Sequence, residues 1–430
     1  MIGTTIEFYD FYIYATAAVS VFPILFFTKS DAGAALLASM ATFGVAFVAR
    51  PIGSILFGHF GDRIGRKATL VGSLLTMGIA TFLIGLLPTV IQIGLLAPTL
   101  LTILRFCQGL GLGGEWSGAA LLVTETAKDG KRAWAAMWPQ LGAPFGFILA
   151  NGFFLLLTIL FKYNSAEAQL KSDFIVWGWR IPFLASLILV VVGLYVRLKL
   201  DETPIFAQAV AEGKKLKTPL FVVFRDYFKE LVLGTFIMLA TYGVFYLMTT
   251  WILSYAIGKT SLGFLGIGYH EFLVIQLISV LFFAGMIPVA GWLADKYGRR
   301  IFLLIVTSCI ILFGLSFNLF LDPAIMGIGN KANMGLMLLF LSIGMALMGL
   351  SFGPMSAVLP ELFPTNVRYT GSGISYNAAS ILGAALTPFV AVWLARNYGV
   401  GSVGIYLSSL AFLTFVALLF SKETKQIKLD

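Results

Sequence analysis

Apolar runs of about 18 to 25 residues recur from one end of the chain to the other, separated by short clusters of charged, glycine or proline positions. A run of that length covers a hydrocarbon core of roughly 30 Å as a helix. The pattern predicts twelve such helices, over roughly 5–27, 34–57, 68–87, 97–123, 135–158, 176–197, 231–256, 271–290, 301–321, 335–358, 371–396 and 404–421. It therefore predicts an all-α membrane protein of two six-helix bundles, 1–197 and 231–430, joined by a cytoplasmic linker over 198–230. The linker is too polar to span: it holds Asp201-Glu-Thr-Pro204, a stop after the sixth helix, and the basic group Lys214-Lys-Leu-Lys217. Its amphipathic stretch from Phe221 to Phe228 reads equally as a helix lying at the membrane surface or as a solvated tether.

The two halves are related. Gly58-His-Phe-Gly-Asp-Arg-Ile-Gly-Arg-Lys67 and Gly291-Trp-Leu-Ala-Asp-Lys-Tyr-Gly-Arg-Arg300 occupy equivalent loops 233 residues apart. Glu125 with Arg132 recurs as Glu361 with Arg368 at an offset of 236. In each loop an acid follows one helix and a base precedes the next, and the glycines are expected to force a tight turn between them. Asp62, Arg63, Arg66, Glu125 and Arg132 then gather at one mouth, and Asp295, Arg299, Glu361 and Arg368 at its counterpart. Ion pairs among them are expected to latch the halves shut on that side. One exposed pair contributes about 0–1 kcal/mol, but a network is enough to bias two states a few kcal/mol apart.

Composition agrees with the pattern: 59% hydrophobic, 11% charged and a mean hydropathy of +0.93 is more apolar surface than a soluble fold buries. The net charge of +9 would suit a polyanionic partner if it were spread evenly. Instead, 20 of the 29 Lys and Arg fall in the alternate loops 58–67, 128–134, 197–230, 291–300 and 359–368 and in the tail 422–430. That asymmetry is the signature of membrane insertion with both termini in the cytoplasm, and it removes nucleic acid as a partner. The first helix carries two acids and lacks a basic leader and a small-residue cleavage site, so it is not a cleavable signal peptide. Cys107 and Cys309 fall in helices of different halves and are expected to be small buried apolar residues, neither bridged nor metal-binding. Gly109, Gly111, Gly113, Gly114 and Gly118 line the fourth helix, where a missing Cβ lets a neighbouring backbone approach. Their Gly-x-Gly spacing follows no strand and is not a dinucleotide fingerprint. Pro51, Pro139, Pro144, Pro288, Pro354 and Pro388 are expected to bend their helices.

The repeated loop, the helix count and the central linker resemble the major facilitator superfamily. Within it, Glu7-Phe-Tyr-Asp-Phe11, Phe57-Gly-His-Phe-Gly-Asp62, Arg105-Phe-Cys-Gln-Gly-Leu-Gly-Leu-Gly-Gly-Glu-Trp116, Trp177-Gly-Trp-Arg-Ile-Pro-Phe183 and Pro360-Glu-Leu-Phe-Pro-Thr-Asn-Val-Arg368 resemble the metabolite:proton symporter family. That family includes bacterial transporters for shikimate, α-ketoglutarate, citrate and proline/betaine. The resemblance covers essentially the whole chain. It implies the major facilitator fold, a bacterial inner-membrane location, action as a monomer, and a proton as coupling ion with no other cofactor. One departure is that only Met1 to Ile6 precede the Glu-Phe-Tyr-Asp string, so the first helix is expected to lack its cytoplasmic turns.

Ionisable side chains at membrane depth cost about 2.5–3.5 kcal/mol on insertion scales and mark cavities or proton routes. The N-terminal half holds them. Glu7 and Asp10 share a face of the first helix with Tyr14, Arg50 lies on the second, and Arg105 and Glu115 lie about 15 Å apart on the fourth. Three acids against two arginines leave one negative charge, which a substrate carboxylate would worsen and a proton would cancel. Asp10 or Glu115, with Glu7 beside them, is thus the expected proton site, and Arg105 the expected fork for a substrate carboxylate. The alternative is structural: Asp10 paired with an arginine, and Glu115 bracing helices. Arg50 is expected to be structural. Tyr14, Trp138, Gln140, Tyr242, Tyr246, Trp251, Gln276, Tyr376 and Asn377 are candidates for shaping specificity, against the commoner role of membrane aromatics as packing. With no grouping of metal-ligand spacing and no nucleophile constellation, the chain reads as no enzyme and as holding no metal. The expected function is a proton-coupled symporter importing a small organic acid or zwitterion; the rival is a drug or sugar exporter or facilitator on the same fold.

Overall fold

A computed structural model describes residues 1–27, 32–64, 66–113, 116, 120, 123–124, 127, 130–163, 172–198, 219–364 and 367–425, without the side chains of 2, 58–70, 196, 197, 219 and 369. The first half comprises α1 (Ile2–Ser20, then Phe22–Leu25), α2 (Ala32–Ile64), α3 (Arg66–Leu86), α4 (Leu96–Gly113), α5 (Arg132–Gln140 and Gly142–Leu160) and α6 (Phe174–Gly178 and Arg180–Leu198). The second comprises α7 (Phe228–Tyr246, Leu247–Trp251 and Ile252–Ile257), α8 (Tyr269–Tyr297), α9 (Arg299–Leu315 and Phe317–Leu321), α10 (Met334–Phe352 and Met355–Glu361), α11 (Arg368–Ser380, Ile381–Ala385 and Leu386–Tyr398) and α12 (Val400–Phe420).

Among the described residues, nine helices are long and apolar enough to cross a membrane, or ten if the two pieces of α9, bent by 49°, form one span. The helices α1 and α3 are not among them. The first carries Glu7, Asp10 and a run of tyrosines and threonines, and the apolar part of the second is only Val71–Leu86. Both are as helical as the rest. Their polarity is tolerated because neighbouring helices cover it, as the burial of Glu7 and Asp10 shows.

The duplication inferred from the loops is visible in the packing. The dominant partners in the first half are α1 with α5, α2 with α4 and α3 with α6; each recurs six helices later as α7 with α11, α8 with α10 and α9 with α12. The halves meet through α5 against α8 and through α2 against α11, again equivalent pairs. Large apolar side chains such as Ile188, Val191, Leu312, Leu315 and Ile405 stand exposed on the outside of the helices, as lipid-facing positions do.

Glycine sets the closest approaches. A Cβ on Gly109 of α4 would land on the carbonyl oxygen of Ala46 in α2, and one on Gly113 would land on that of Arg50. Backbone cannot yield as a flexible side chain does. Gly109→Ala is therefore expected to cost about 1–3 kcal/mol, measured as a lowered Tm of the purified protein, and an unchanged Tm would show that α2 and α4 are not so tightly apposed.

Two expectations, the loop at 291–300 and the burial of the cysteines, are corrected, and two others are made specific. The segment Gly291–Tyr297 is not a loop but the last two turns of α8, and the turn is the single residue Gly298 at φ +100°; likewise 58–64 belongs to α2. With no proline in either string, each helix runs on to its last satisfiable hydrogen bond. The stretch around Phe221 is a helix, Pro219–Asp226, with Val223 buried on Phe363 and Val367 while Phe221 and Phe224 are exposed. Cys309 is exposed on the outer surface rather than buried, and Cys107 is half-buried. Pro51 and Pro288 lie inside unbroken helices, whereas α10 is interrupted at Gly353-Pro354.

Candidate functional site

Between the halves, α1, α2, α4, α7, α10 and α11 line a narrow pocket of about 10 Å³, room for about one water molecule. Its one described ion pair is Arg50 of α2 with Glu7 of α1, Nη2 to Oε1 at 3.2 Å, both groups buried. Three tyrosines of the other half, Tyr242 and Tyr246 of α7 and Tyr376 of α11, complete the polar wall. Phe8, Phe11, Leu112, Met238, Phe245 and Phe352 supply the apolar remainder, with Thr241 beside them. The Arg50 guanidinium lies 5.7 Å from the Tyr376 ring centre and 5.5 Å from that of Phe47.

A second polar network lies behind this wall, inside the first half. Arg105 is fully buried: its Nη1 donates to Gln108 Oε1, its Nε and Nη2 reach the Phe43 carbonyl at 3.4 and 3.5 Å, and Tyr14 covers its guanidinium at 4.0 Å. The Tyr14 hydroxyl donates to Thr42 at 3.1 Å. Gln108 Nε2 donates to Thr81 Oγ1 at 2.8 Å, and the Thr81 hydroxyl lies 3.2 Å from Asp10 Oδ2. The other carboxylate oxygen of Asp10 is buried with no hydrogen-bond partner among the described residues.

The sequence-derived candidates therefore divide. Glu7, Tyr242, Tyr246 and Tyr376 are on the pocket wall; Asp10, Arg105 and Tyr14 are in the network behind it. The arginine exposed to the pocket is Arg50, where Arg105 was expected. Although Glu7 and Asp10 are three residues apart, Glu7 turns to α2 and Asp10 to α3. Trp138 is half exposed on the outside of α5, so it is no pocket residue. Trp251 stacks on Tyr255 at 5.2 Å inside the second half. Gln276 donates to the carbonyls of Met248 and Thr249, groups freed by the π-helical turn Leu247–Trp251. Glu115 and Glu125 lie outside the described residues, as do the side chains of Asp62, Arg63 and Arg66.

The remaining candidates close one end of the bundle. Asn377 of α11 donates to Ser54 of α2 at 2.7 Å, and Gln140 of α5 donates to the Phe352 carbonyl of α10 at 2.9 Å. Beside them Trp116 stacks on Tyr376 at 3.9 Å and 5° between planes. Further out, Arg299 forks onto Glu361 at 3.1 and 3.2 Å and reaches Asp295 at 3.2 Å. Arg368, another base expected at this mouth, donates its Nε to the Phe363 carbonyl at 3.1 Å. All of these ion pairs are internal to the second half. A further contact across the halves is made by Asp295, which accepts from the backbone N–H of Ala133 and Trp134 at 3.1 and 2.9 Å, at the start of the helix opened by Arg132. An acid of one half thus caps the free N–H groups of a helix of the other.

Asp295→Ala removes both bonds. Hydrogen bonds to a charged group contribute about 1.5–3 kcal/mol, so the variant is expected to open this end. A reporter cysteine on α5, in a chain with Cys107 and Cys309 replaced, should then react with an impermeant maleimide about tenfold faster or more; an unchanged rate would show that the lock lies elsewhere. The far end is closed as well, where the Tyr269 hydroxyl reaches Ser20 at 3.5 Å and its ring meets Tyr163 at 6.0 Å.

Sequence reasoning missed Gln108, Thr81, Ser54, Trp116 and Glu423. Gln108 was in reach, three residues beyond Arg105 on one helix face. Glu423 was not: its carboxylate returns from the tail to accept from Arg299 N and Arg300 N, capping α9 beside Gly298.

A pocket between two halves built on one repeated packing scheme is a transporter architecture. The sequence profile of the Major Facilitator Superfamily matches residues 1–381. The chain belongs to the major facilitator superfamily. Among its relatives in that superfamily, the "Inner membrane metabolite transport protein YhjE" of Escherichia coli (strain K12) is 54% identical over 99% of this chain and 93% of its own length. The Shikimate transporter of the same organism is 33% identical over 99% and 93% respectively. Among solved structures, the proton:xylose symporter XylE bound to 6-bromo-6-deoxy-D-glucose superposes with a TM-score of 0.70 over 100% of this chain and 95% of that one. At 17% identity, XylE shows a shared fold. The protein is a multi-pass membrane transporter of small metabolites, not an enzyme.

Proposed function

We propose that the protein is a proton-coupled symporter that imports a small organic acid or zwitterion across a bacterial inner membrane, working as a monomer with both termini in the cytoplasm. The observation that carries this reading is the separation of two buried acids on one helix. Glu7 shares the pocket with Arg50, and Asp10 sits behind the wall against Thr81. Arg50 offers a planar fork to a substrate carboxylate. Asp10, wholly buried with one oxygen unmatched among the described residues, is the group best placed to carry the proton. Because both are on α1, a shift of that helix against α2 and α3 touches solute and proton together. The halves then rock about the pocket, so that the Asp295 end and the Tyr269 end open in turn. The relatives' names support metabolite transport, and the ionic pocket wall favours a charged solute over the sugar or drug alternative. Uptake into proteoliposomes should rise with an inward proton gradient and collapse with a protonophore; uptake indifferent to both would make the protein a facilitator.

A further inference from the structure

We propose that Thr81 of α3 is a positioning residue for the proton: by turning its one hydroxyl hydrogen it serves both the ionised and the protonated form of Asp10. The inference rests on the reading of Asp10 as the proton site. Thr81 Oγ1 lies 3.2 Å from Asp10 Oδ2 and 2.9 Å from the carbonyl oxygen of Met77, and Gln108 Nε2 donates to it at 2.8 Å. The last bond has a fixed direction. An arginine can only donate, so Arg105 on Gln108 Oε1 turns the amide NH2 of Gln108 towards Thr81. The Thr81 oxygen therefore accepts from Gln108, which leaves it one lone pair and one hydrogen for its other two neighbours.

That remainder satisfies either charge state. With Asp10 ionised, the hydroxyl donates to Oδ2, while the Met77 carbonyl keeps the helical bond from the Thr81 N–H. With Asp10 protonated, the acid donates from Oδ2 to the free lone pair of Thr81, and the hydroxyl turns to Met77. Oδ1 has no partner among the described residues, so the exchange is balanced at Thr81. The described ionisable groups around Asp10 are engaged elsewhere. Glu7 pairs with Arg50 of α2, Arg105 of α4 is held by Gln108 and the Phe43 carbonyl, and the hydroxyls of Tyr9 and Tyr14 donate to the Pro182 carbonyl and to Thr42. Arg180 of α6 donates to the carbonyls of Gly85 and Leu87. Neither α5 from Gly142 to Leu160 nor α3 from Val71 to Leu86 carries a charged residue. Loss of the hydroxyl takes a bond from both forms of Asp10. The bond to a carboxylate is about twice as strong as one between neutral groups, so the ionised form loses more and Asp10 keeps its proton to higher pH.

The test is pH-difference infrared spectroscopy of the purified full chain, which reads a buried protonated carboxyl directly and needs no solute. The band that Asp10→Asn deletes belongs to Asp10. In Thr81→Val, which has the same shape without the hydroxyl, the titration midpoint of that band should rise by about one pH unit. Thr81→Ser keeps the hydroxyl and should keep the wild-type midpoint, an outcome that a purely structural role for Thr81 does not require. If a lowered Tm shows that Thr81→Val folds poorly, Thr81→Ala carries the same expectation. A midpoint unmoved by loss of the hydroxyl, or moved as far by Thr81→Ser, overturns the proposal and leaves Asp10 as the proton site. If Asp10→Asn deletes no titrating band, the proton site itself is lost, and the proposal with it.

Discussion

Arg50→Gln is expected to abolish solute binding and transport, because it removes the one described cation on the pocket wall. A charge-assisted fork at about 3 kcal/mol corresponds to a loss of affinity of about 100-fold. The substitution also leaves Glu7 buried beside Arg50's former position without that guanidinium, and breaking a buried pair from one side costs about 3–5 kcal/mol. Loss of uptake alone would thus not separate a binding role from a folding one. The double variant Glu7→Gln/Arg50→Gln does: with both charges gone, much of the Tm should return while solute binding should not. A wild-type isotherm in the folded double variant would show that Arg50 is structural, as the sequence reading had it. Arg105→Gln is the control, expected to lower Tm through the Phe43 and Gln108 contacts while its folded fraction still binds.

Asp10→Asn is expected to uncouple the protein rather than stop it. The amide keeps an acceptor for the Thr81 hydroxyl but cannot take up and release a proton. One pH unit is about 1.4 kcal/mol per proton, or about tenfold accumulation. In the variant that accumulation should fall to equilibrium while exchange of labelled for unlabelled solute continues. Full accumulation would move the proton site to Glu7 or to Glu115. Loss of exchange as well would mean that the acid holds α1 against α3.

Much of the fold was legible because membrane helices are written in long runs, and a duplicated gene repeats its loops at one offset. The candidate site was legible only as a set of residue types. Glu7, Tyr242, Tyr246 and Tyr376 reached the pocket, while Arg105 and Arg50 exchanged the places expected of them. Spacing on one helix cannot foresee that, because the direction of a side chain between two bundles is decided by the neighbours on either side. Arg105 is turned inward by Gln108 and by a carbonyl 62 residues earlier in the chain. The closed end shows the same limit: acids, bases and glycines were all in view, yet Asp295 holds the other half through backbone N–H groups, which no residue pattern displays.

From its sequence alone this protein is a membrane chain of two related helical halves with a few acids and arginines at hydrocarbon depth. Hydrophobicity, period and charge asymmetry are local quantities summed along a strand of residues, so they survive without coordinates. Only the tertiary structure decided which of those charges share a cavity, which are walled off from it, and how the two ends are shut. Such facts depend on contacts between residues tens to hundreds of positions apart, where an ångström or two separates a solute's ion-pair partner from a buried brace.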